Sequence, residues 1–180
     1  MRALLAGLVL VASGRAASAA PSPAPEKGAV HIEIFKKARE LRLYRGDFLI
    51  REFPVGLGLD PVTAKARQGD HATPERHYRV CSKNPNSRFY LSLALSYPNR
   101  EDGKRGVKDG LITARQEQAI AQALNAGRCP PWNTALGGEI FIHGNGAGSD
   151  WTWGCVALED KDMRELYALA GIGTEVLIHP

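Results

Sequence analysis

A histidine and a cysteine stand in the segment of this sequence that is best suited to chemistry. The segment covers residues 141–158 and reads FIHGNGAGSDWTWGCVAL. His143 ends an apolar run that is typical of a strand, and Cys155 leads into another one twelve positions later. The residues that follow His143 are small and flexible, so the chain can double back and bring the imidazole beside the thiol. Such a pair is suited to acyl transfer, in which the thiol attacks a carbonyl carbon.

A thiol is a good nucleophile only after it loses its proton, and its reference pKa is about 8.5. The imidazole of His143 is the expected general base for this proton, and later the general acid. Backbone N–H groups around Gly154 and Cys155 are expected to form an oxyanion hole. The candidate oxyanion or substrate-binding residues are Gly144, Thr152, Trp153 and Gly154. The third catalytic group stays open, because either Asp150 or a backbone carbonyl can orient the imidazole.

The chain has three cysteines, Cys81, Cys129 and Cys155. An exported protein meets an oxidising compartment that favours pairing, and an odd number leaves at least one thiol free. Cys81 and Cys129 either form a structural disulfide or remain two thiols, and the sequence does not decide between them. A lone cysteine is more often buried and inert, but the His-Gly and Gly-Cys pairs favour Cys155 as a nucleophile. No spacing typical of a zinc site is present.

Alternating apolar and polar residues predict a mainly β domain. We expect strands at residues 30–34, 40–44, 48–55, 77–80, 89–95, 139–143, 156–158 and 174–179. A tight turn is expected at 45–47, and the polar, glycine-containing residues 99–110 are expected to be an exposed loop.

Two helices are predicted. One covers residues 114–126, where Thr113 and Gln116 can form a capping box and Gly127 can end the helix. The other covers residues 160–170 and carries one apolar stripe. The expected fold class is α+β and mainly β, a sandwich or barrel of antiparallel strands with two or three packed helices.

The first twenty residues are predicted to be a signal peptide. Arg2 precedes the apolar run ALLAGLVLVA, and Ala17-Ser18-Ala19 fits a cleavage site. The Pro-rich residues 21–28 are expected to be a linker, and residues 29–180 a single domain. The net charge of +4 falls when the signal is removed, and the basic residues are spread along the chain. Nucleic acid is therefore not an expected partner, and no membrane insertion is expected after the signal has gone.

The motifs resemble those of the L,D-transpeptidase catalytic domain, the YkuD-like family. His143-Gly144 is similar to the first half of the family signature, and Thr152-Trp153-Gly154-Cys155 is similar to the second half. The loop GDHATPE at residues 69–75 is similar to a further family motif. The sequence departs from the commoner pattern at Trp153, where histidine is usual, and at Ala157, where arginine is usual.

The resemblance implies a periplasmic or cell-envelope enzyme that acts on peptidoglycan stem peptides and needs no metal or organic cofactor. Cys155 would attack the bond between an L-centre and a D-residue and form a thioester. An amine acceptor then gives a crosslink or attaches a protein, whereas water gives carboxypeptidase activity. A catalytically silent wall-binding module is the alternative from another class. An NlpC/P60-type peptidase is disfavoured because it places its cysteine before its histidine.

Overall fold

The computed structural model describes residues 28–180. The predicted signal peptide and all of the predicted linker except Gly28 lie outside the described residues. No helix in the described range has the length and apolar character needed to cross a membrane.

Three antiparallel strands open the domain: β1 (Val30–Phe35), β2 (Glu40–Arg45) and β3 (Phe48–Pro54). The alternating apolar residues of β1 and β2 face the core, where Ile32 pairs with Leu43 and Ile34 with Leu41. The predicted turn between β2 and β3 is confirmed. Gly46 has a φ of 56° there, in the left-handed region that glycine adopts without strain.

Eight strands form one curled sheet in the order β3-β2-β1-β8-β4-β5-β6-β7. The remaining strands are β4 (Arg76–Ser87), β5 (Tyr90–Leu95), β6 (Phe141–His143), β7 (Val156–Ala157) and β8 (Glu175–His179). The predicted strand positions and the mainly β, α+β fold class are confirmed. The sheet is mixed, however, because β1 pairs with β8 and β6 with β7 in parallel. Alternation along one strand carries no information about the direction of its neighbour, so the expectation of antiparallel strands was incomplete.

Residues 99–110 were predicted to be a loop, and this prediction was wrong. They form helix α1 (Arg100–Lys108), which begins with a capping box between Asn99 and Asp102. Gly106 faces Leu136 so closely that an added Cβ would lie 2.9 Å from a methyl carbon of that residue. The glycines that suggested a loop therefore allow α1 to approach its neighbour.

The two predicted helices are confirmed as α2 (Ala114–Asn125) and α3 (Asp160–Leu169). Thr113 and Gln116 form the expected capping box. Helices α1 and α2 share a small apolar cluster of their own, formed by Ile112, Ile120 and Leu136. The main core lies between α3 and the sheet, where Met163 and Leu166 are fully buried.

A disulfide joins Cys81 on β4 to Cys129, which follows α2, and Cys155 is the free cysteine. The bridge decides the question that the sequence left open. It connects the helical segment to the sheet across a sequence separation of 48 residues. A cross-link over a loop of this length removes considerable chain entropy from the unfolded state.

We expect the double variant Cys81→Ser/Cys129→Ser to lose about 2–4 kcal/mol of unfolding free energy, because its unfolded chain is no longer cross-linked. Urea unfolding followed by circular dichroism measures this difference. The wild-type protein treated with a reducing agent should lose a similar amount. Equal midpoints for the variant and the oxidised wild type would contradict the expectation.

Candidate active site

Strand β6 carries His143 at its end and lies between β5 and β7. It pairs antiparallel with β5, where Ser92 is opposite His143, and parallel with β7, where Ala157 is opposite His143. His143 is 2% exposed. The strand pairing on both sides therefore fixes the backbone position from which the imidazole of His143 extends.

The pairing of β6 with β7 brings Cys155 next to the strand that carries His143. Cys155 directly precedes β7, and the N–H of Phe141 donates to Cys155 Sγ at 3.4 Å. The sulfur therefore lies beside β6, two residues before His143 on that strand.

The thiol forms hydrogen bonds with backbone groups in this structure. Cys155 Sγ donates to the carbonyl oxygen of Glu139 at 3.5 Å, and the residue is partly exposed. Within residues 28–180 no hydrogen bond joins Cys155 to His143. The structure thus brings the thiol to the strand that carries the imidazole, without direct contact between the two groups.

The imidazole of His143 is enclosed by two aromatic rings. Phe89 stacks on it with ring centroids 4.7 Å apart, and Trp151 meets it edge-on at 5.6 Å. Its Nδ1 lies 2.7 Å from the carbonyl oxygen of Gly144. A carbonyl only accepts, so Nδ1 carries the proton and Nε2 is left as the base.

Asp150 is engaged elsewhere. Its carboxylate pairs with Arg39, with Nη2 and Oδ2 2.7 Å apart, and accepts from the N–H of Leu57 at 2.9 Å. Of the two groups that the sequence left open as the orienting partner, the structure places the Gly144 carbonyl beside the imidazole. Asp150 instead ties the loop before Cys155 to the strands at the other edge.

Burial shifts both groups toward their neutral forms. Burial lowers the pKa of His143, and the Gly144 carbonyl only partly offsets this. Burial also raises the pKa of the Cys155 thiol to about 11, against a smaller opposing effect of the Phe141 N–H. The resting pair is therefore a thiol and a neutral imidazole, not a thiolate and an imidazolium.

Thr152 shapes the turn that leads to the thiol. Its hydroxyl donates to the carbonyl of Cys155 at 2.8 Å and accepts from the N–H of Gly154 at 3.2 Å. Gly154 has a φ of 115°, and a Cβ there would lie 2.6 Å from the carbonyl oxygen of Ala72. The residue before Cys155 is thus restricted to glycine by both its conformation and its surroundings.

The two glycines proposed as oxyanion donors already have protein acceptors. The N–H of Gly154 binds Thr152, and the N–H of Gly144 donates to the carbonyl of Phe89 at 3.0 Å. The N–H of Cys155 has no acceptor among residues 28–180. Of these groups, the Cys155 amide is the one that can receive an oxyanion.

The two tryptophans have different surroundings. Trp151 is half-buried against His143, whereas Trp153 is 75% exposed. Trp153 stacks on His71 with ring centroids 5.5 Å apart and planes 11° apart. His71 and Trp153 therefore form an aromatic surface next to the Gly154-Cys155 turn.

The loop at residues 69–75 is held by its own polar groups. Asp70 accepts from three backbone N–H groups and from Lys65, and Thr73 accepts from the N–H of Gly58. Lys36, only 1% exposed, donates to Glu75 at 2.7 Å and to the carbonyl of Thr73. This loop supplies the Ala72 carbonyl against which Gly154 lies. The polar contacts of the loop therefore help to position the Gly154-Cys155 turn.

Sequence reasoning missed Phe89 and Lys36. Phe89 was assigned to a strand, and Lys36 lies far from the motif in sequence. No local pattern marks a residue that contacts the site only after folding. In the described part of the chain, no three His, Cys, Asp or Glu side chains are grouped so as to hold a metal ion.

A family model described as the L,D-transpeptidase catalytic domain, YkuD, matches residues 29–178. This chain belongs to the YkuD family. No curated protein matches the sequence of this chain.

Solved structures show the same fold. The YkuD domain is similar to Pgp2 from Campylobacter jejuni, titled a helical cell shape determining protein, with 20% identity and a TM-score of 0.59 over 86% of this chain and 48% of that chain. It is similar to Bd1075 from Bdellovibrio bacteriovorus with 20% identity and a TM-score of 0.55, over 85% and 48% of the two chains. An L,D-transpeptidase from Xylanimonas cellulosilytica has 16% identity and a TM-score of 0.52, over 88% and 65%. The chain thus spans about half the length of the first two.

We expect Thr152→Val to lower the unfolding free energy of the YkuD domain by about 1–3 kcal/mol, because the buried N–H of Gly154 loses its acceptor. Urea unfolding measures the change. Thr152→Ser keeps the hydroxyl and is the matched control, and it should stay close to the wild type. A valine variant as stable as the wild type would show that Thr152 does not hold this turn.

The raised pKa of Cys155 predicts slow alkylation of the free YkuD domain at neutral pH. The thiolate is the reactive form, so the rate with iodoacetamide should keep rising between pH 7 and pH 10, because the folded pKa is about 11. Stopped samples analysed by mass spectrometry give this profile. The same thiol in urea, with the disulfide intact, should level off above its ordinary pKa of about 8.5. A plateau below pH 8 in the folded protein would contradict the neutral resting state.

Proposed function

We propose that this YkuD domain is a cysteine acyltransferase that cleaves the bond between an L-centre and a D-residue in peptidoglycan stem peptides and forms a thioester at Cys155. Membership in the L,D-transpeptidase catalytic domain family supports the reaction class. The single observation that carries the assignment is the position of Cys155 Sγ beside β6, two residues from His143 along that strand, in a residue that is partly exposed.

The reaction begins from a neutral pair. Because the pKa of the thiol lies far above that of the imidazole, proton transfer is unfavourable before bond formation. The thiol first leaves its contact with the Glu139 carbonyl and turns toward His143. The sulfur then attacks the carbonyl carbon while Nε2 of His143 takes the thiol proton, and the Cys155 N–H stabilises the oxyanion.

The second half of the reaction returns the proton. The C–N bond breaks, the imidazolium of His143 donates its proton to the departing amine of the D-residue, and the thioester remains on Cys155. An acceptor amine then attacks the thioester and loses a proton to His143, and His143 passes this proton to the Cys155 sulfur as the C–S bond breaks. Water in place of the amine gives hydrolysis. The Gly144 carbonyl keeps Nε2 oriented through both halves, and Thr152 and Gly154 hold the thiol in place.

Trp153 is proposed to bind substrate. An exposed indole that is stacked on His71 offers a flat apolar surface beside the thiol. Rings of this kind bury much area at low entropic cost when a ligand covers them. Its exposure distinguishes it from Trp151, which packs on the catalytic imidazole.

Export to the periplasm or cell envelope is part of the proposal. The predicted signal at residues 1–20, linker at 21–28 and catalytic domain at 29–180 agree with it. The Cys81–Cys129 disulfide supports it as well, because such bonds persist in oxidising compartments. The similarity to Pgp2, a helical cell shape determining protein, suggests that the reaction bears on cell-wall organisation and cell shape.

The test uses a stem tetrapeptide that ends in diaminopimelate–D-Ala. We expect D-Ala release and a protein adduct on Cys155 whose mass equals the tripeptide acyl group, because the thioester precedes transfer. His143→Gln should lower the rate of adduct formation by about 10²–10⁴-fold, the usual contribution of a positioned base. Liquid chromatography with mass spectrometry measures both species, and Cys155→Ala is the control that forms no adduct.

The products also identify the acceptor. A crosslinked dimer indicates transpeptidation, and free tripeptide indicates carboxypeptidase activity. If the folded wild-type protein binds the peptide but neither releases D-Ala nor forms an adduct, the protein is a wall-binding module and the enzyme proposal fails.

A further inference from the structure

An unpaired guanidinium lies beside the proposed catalytic groups. Arg88 is in the turn between β4 and β5, and its Cζ lies 4.8 Å from the centroid of the Phe89 ring. The same ring stacks on His143 at 4.7 Å. A cation–π contact therefore holds Arg88 one ring away from the imidazole.

Arg88 differs from the arginines that the structure uses for folding. Arg39, Arg79 and Arg105 each pair with a carboxylate. Arg88 is exposed and makes no ion pair or hydrogen bond with any residue in the range 28–180. The N–H donors of the Arg88 guanidinium therefore remain available for a ligand.

A cavity of about 370 Å³ adjoins this corner of the molecule. Its lining consists of Phe89, Asn145, Gly146, Gly148, Ser149 and Trp151. Phe89 and Trp151 are also the two rings that enclose His143, so the cavity and the imidazole share a wall. The lining contains polar groups and no carboxylate, which suits an anionic ligand.

Two carboxylates contact the loop that lines the cavity, and both are engaged. Asp160 accepts from the N–H of Asn145 at 2.8 Å, and Glu159 accepts from the N–H of Ala147 at 2.9 Å. Neither makes an ion pair with Arg88. The positive charge of Arg88 also acts on the imidazole. Burial is the largest cause that lowers the pKa of His143, and the charge of Arg88 lowers it further.

We propose that Arg88 binds a carboxylate of the substrate at this cavity and so positions the acyl donor for Cys155. This inference rests on the proposed function, because a stem tetrapeptide brings carboxylates near its scissile bond. One is the C-terminal carboxylate of the D-residue, and another is the D-centre carboxylate of diaminopimelate. A guanidinium fork matches either group through two parallel hydrogen bonds.

The test compares three donor peptides: the free tetrapeptide, the same peptide with a C-terminal amide, and the same peptide with an amidated D-centre carboxylate. We expect Arg88→Gln to lower kcat/KM on the free peptide by about 10–100-fold, mainly through KM, because a charge-assisted hydrogen-bonded pair is lost. Arg88→Lys should recover part of this loss. On the peptide that lacks the recognised carboxylate, the wild type and Arg88→Gln should be equal, which identifies the carboxylate.

Arg115→Gln is the matched control, since it removes the same charge from an exposed position on helix α2, which packs on α1. It should behave as the wild type on all three peptides. An equal loss on every peptide would show that Arg88 recognises neither of these two carboxylates, and no loss on any peptide would show that it binds no substrate; both outcomes would overturn the inference.

A binding measurement separates this inference from the proposed function. Calorimetric titration of the free tetrapeptide into Cys155→Ala, with and without Arg88→Gln, needs no turnover. If binding depends on Arg88 but the wild-type protein releases no D-Ala, the carboxylate-binding site is supported and the proposed enzymatic function is contradicted. Binding that is the same with and without Arg88, or no binding to either protein, would overturn the carboxylate site.

Discussion

The pairing of two very short strands controls the whole site. Strand β6 has three residues and β7 has two, yet their register decides which part of β6 lies beside Cys155. A slip of one residue would move the thiol away from the N–H of Phe141 and would turn the β7 side chains to the other face, because side chains alternate along a strand. Backbone hydrogen bonds made by residues outside β6 and β7 stabilise the register of these two strands. Ala157 exchanges two backbone hydrogen bonds with Gly56, and the N–H of Leu158 donates to the carbonyl of His143.

The same burial that positions the reactive groups also sets their protonation. Phe89 and Trp151 enclose the imidazole and exclude water, which lowers the pKa of His143, and the desolvated thiol has a raised pKa. Both groups are therefore neutral in the resting structure. The Gly144 carbonyl contributes orientation without adding a full charge, since a nearby carboxylate would favour the imidazolium. The engagement of Asp150 with Arg39 fits this arrangement.

The segment between β5 and β6, which contains helices α1 and α2, contacts the site through the residues that lead into β6. Helices α1 and α2 pack on their own cluster around Leu136, and the hydroxyl of Tyr97 donates to the Leu136 carbonyl at 3.0 Å. Three residues later, Glu139 presents its carbonyl to the thiol. The Cys81–Cys129 disulfide fastens the end of this segment to β4. The resting position of Cys155 therefore depends on packing that starts far from the catalytic motif.

Local patterns in the sequence determined the strands, the helices α2 and α3 and the candidate pair itself. Periodicity, capping residues and the His-Gly and Gly-Cys motifs are all readable within a few neighbouring positions, and they reflect backbone geometry that each segment satisfies alone. The helix α1 was missed because its glycines are favourable only where Leu136 comes close.

Tertiary structure decided which groups contact which. It joined β1 to β8 and β6 to β7 in parallel, paired Cys81 with Cys129, and placed the Gly144 carbonyl rather than Asp150 beside the imidazole. These contacts join residues whose orientation depends on how the whole sheet curls, and the free energy that selects among partners comes from long-range packing that no single segment contains.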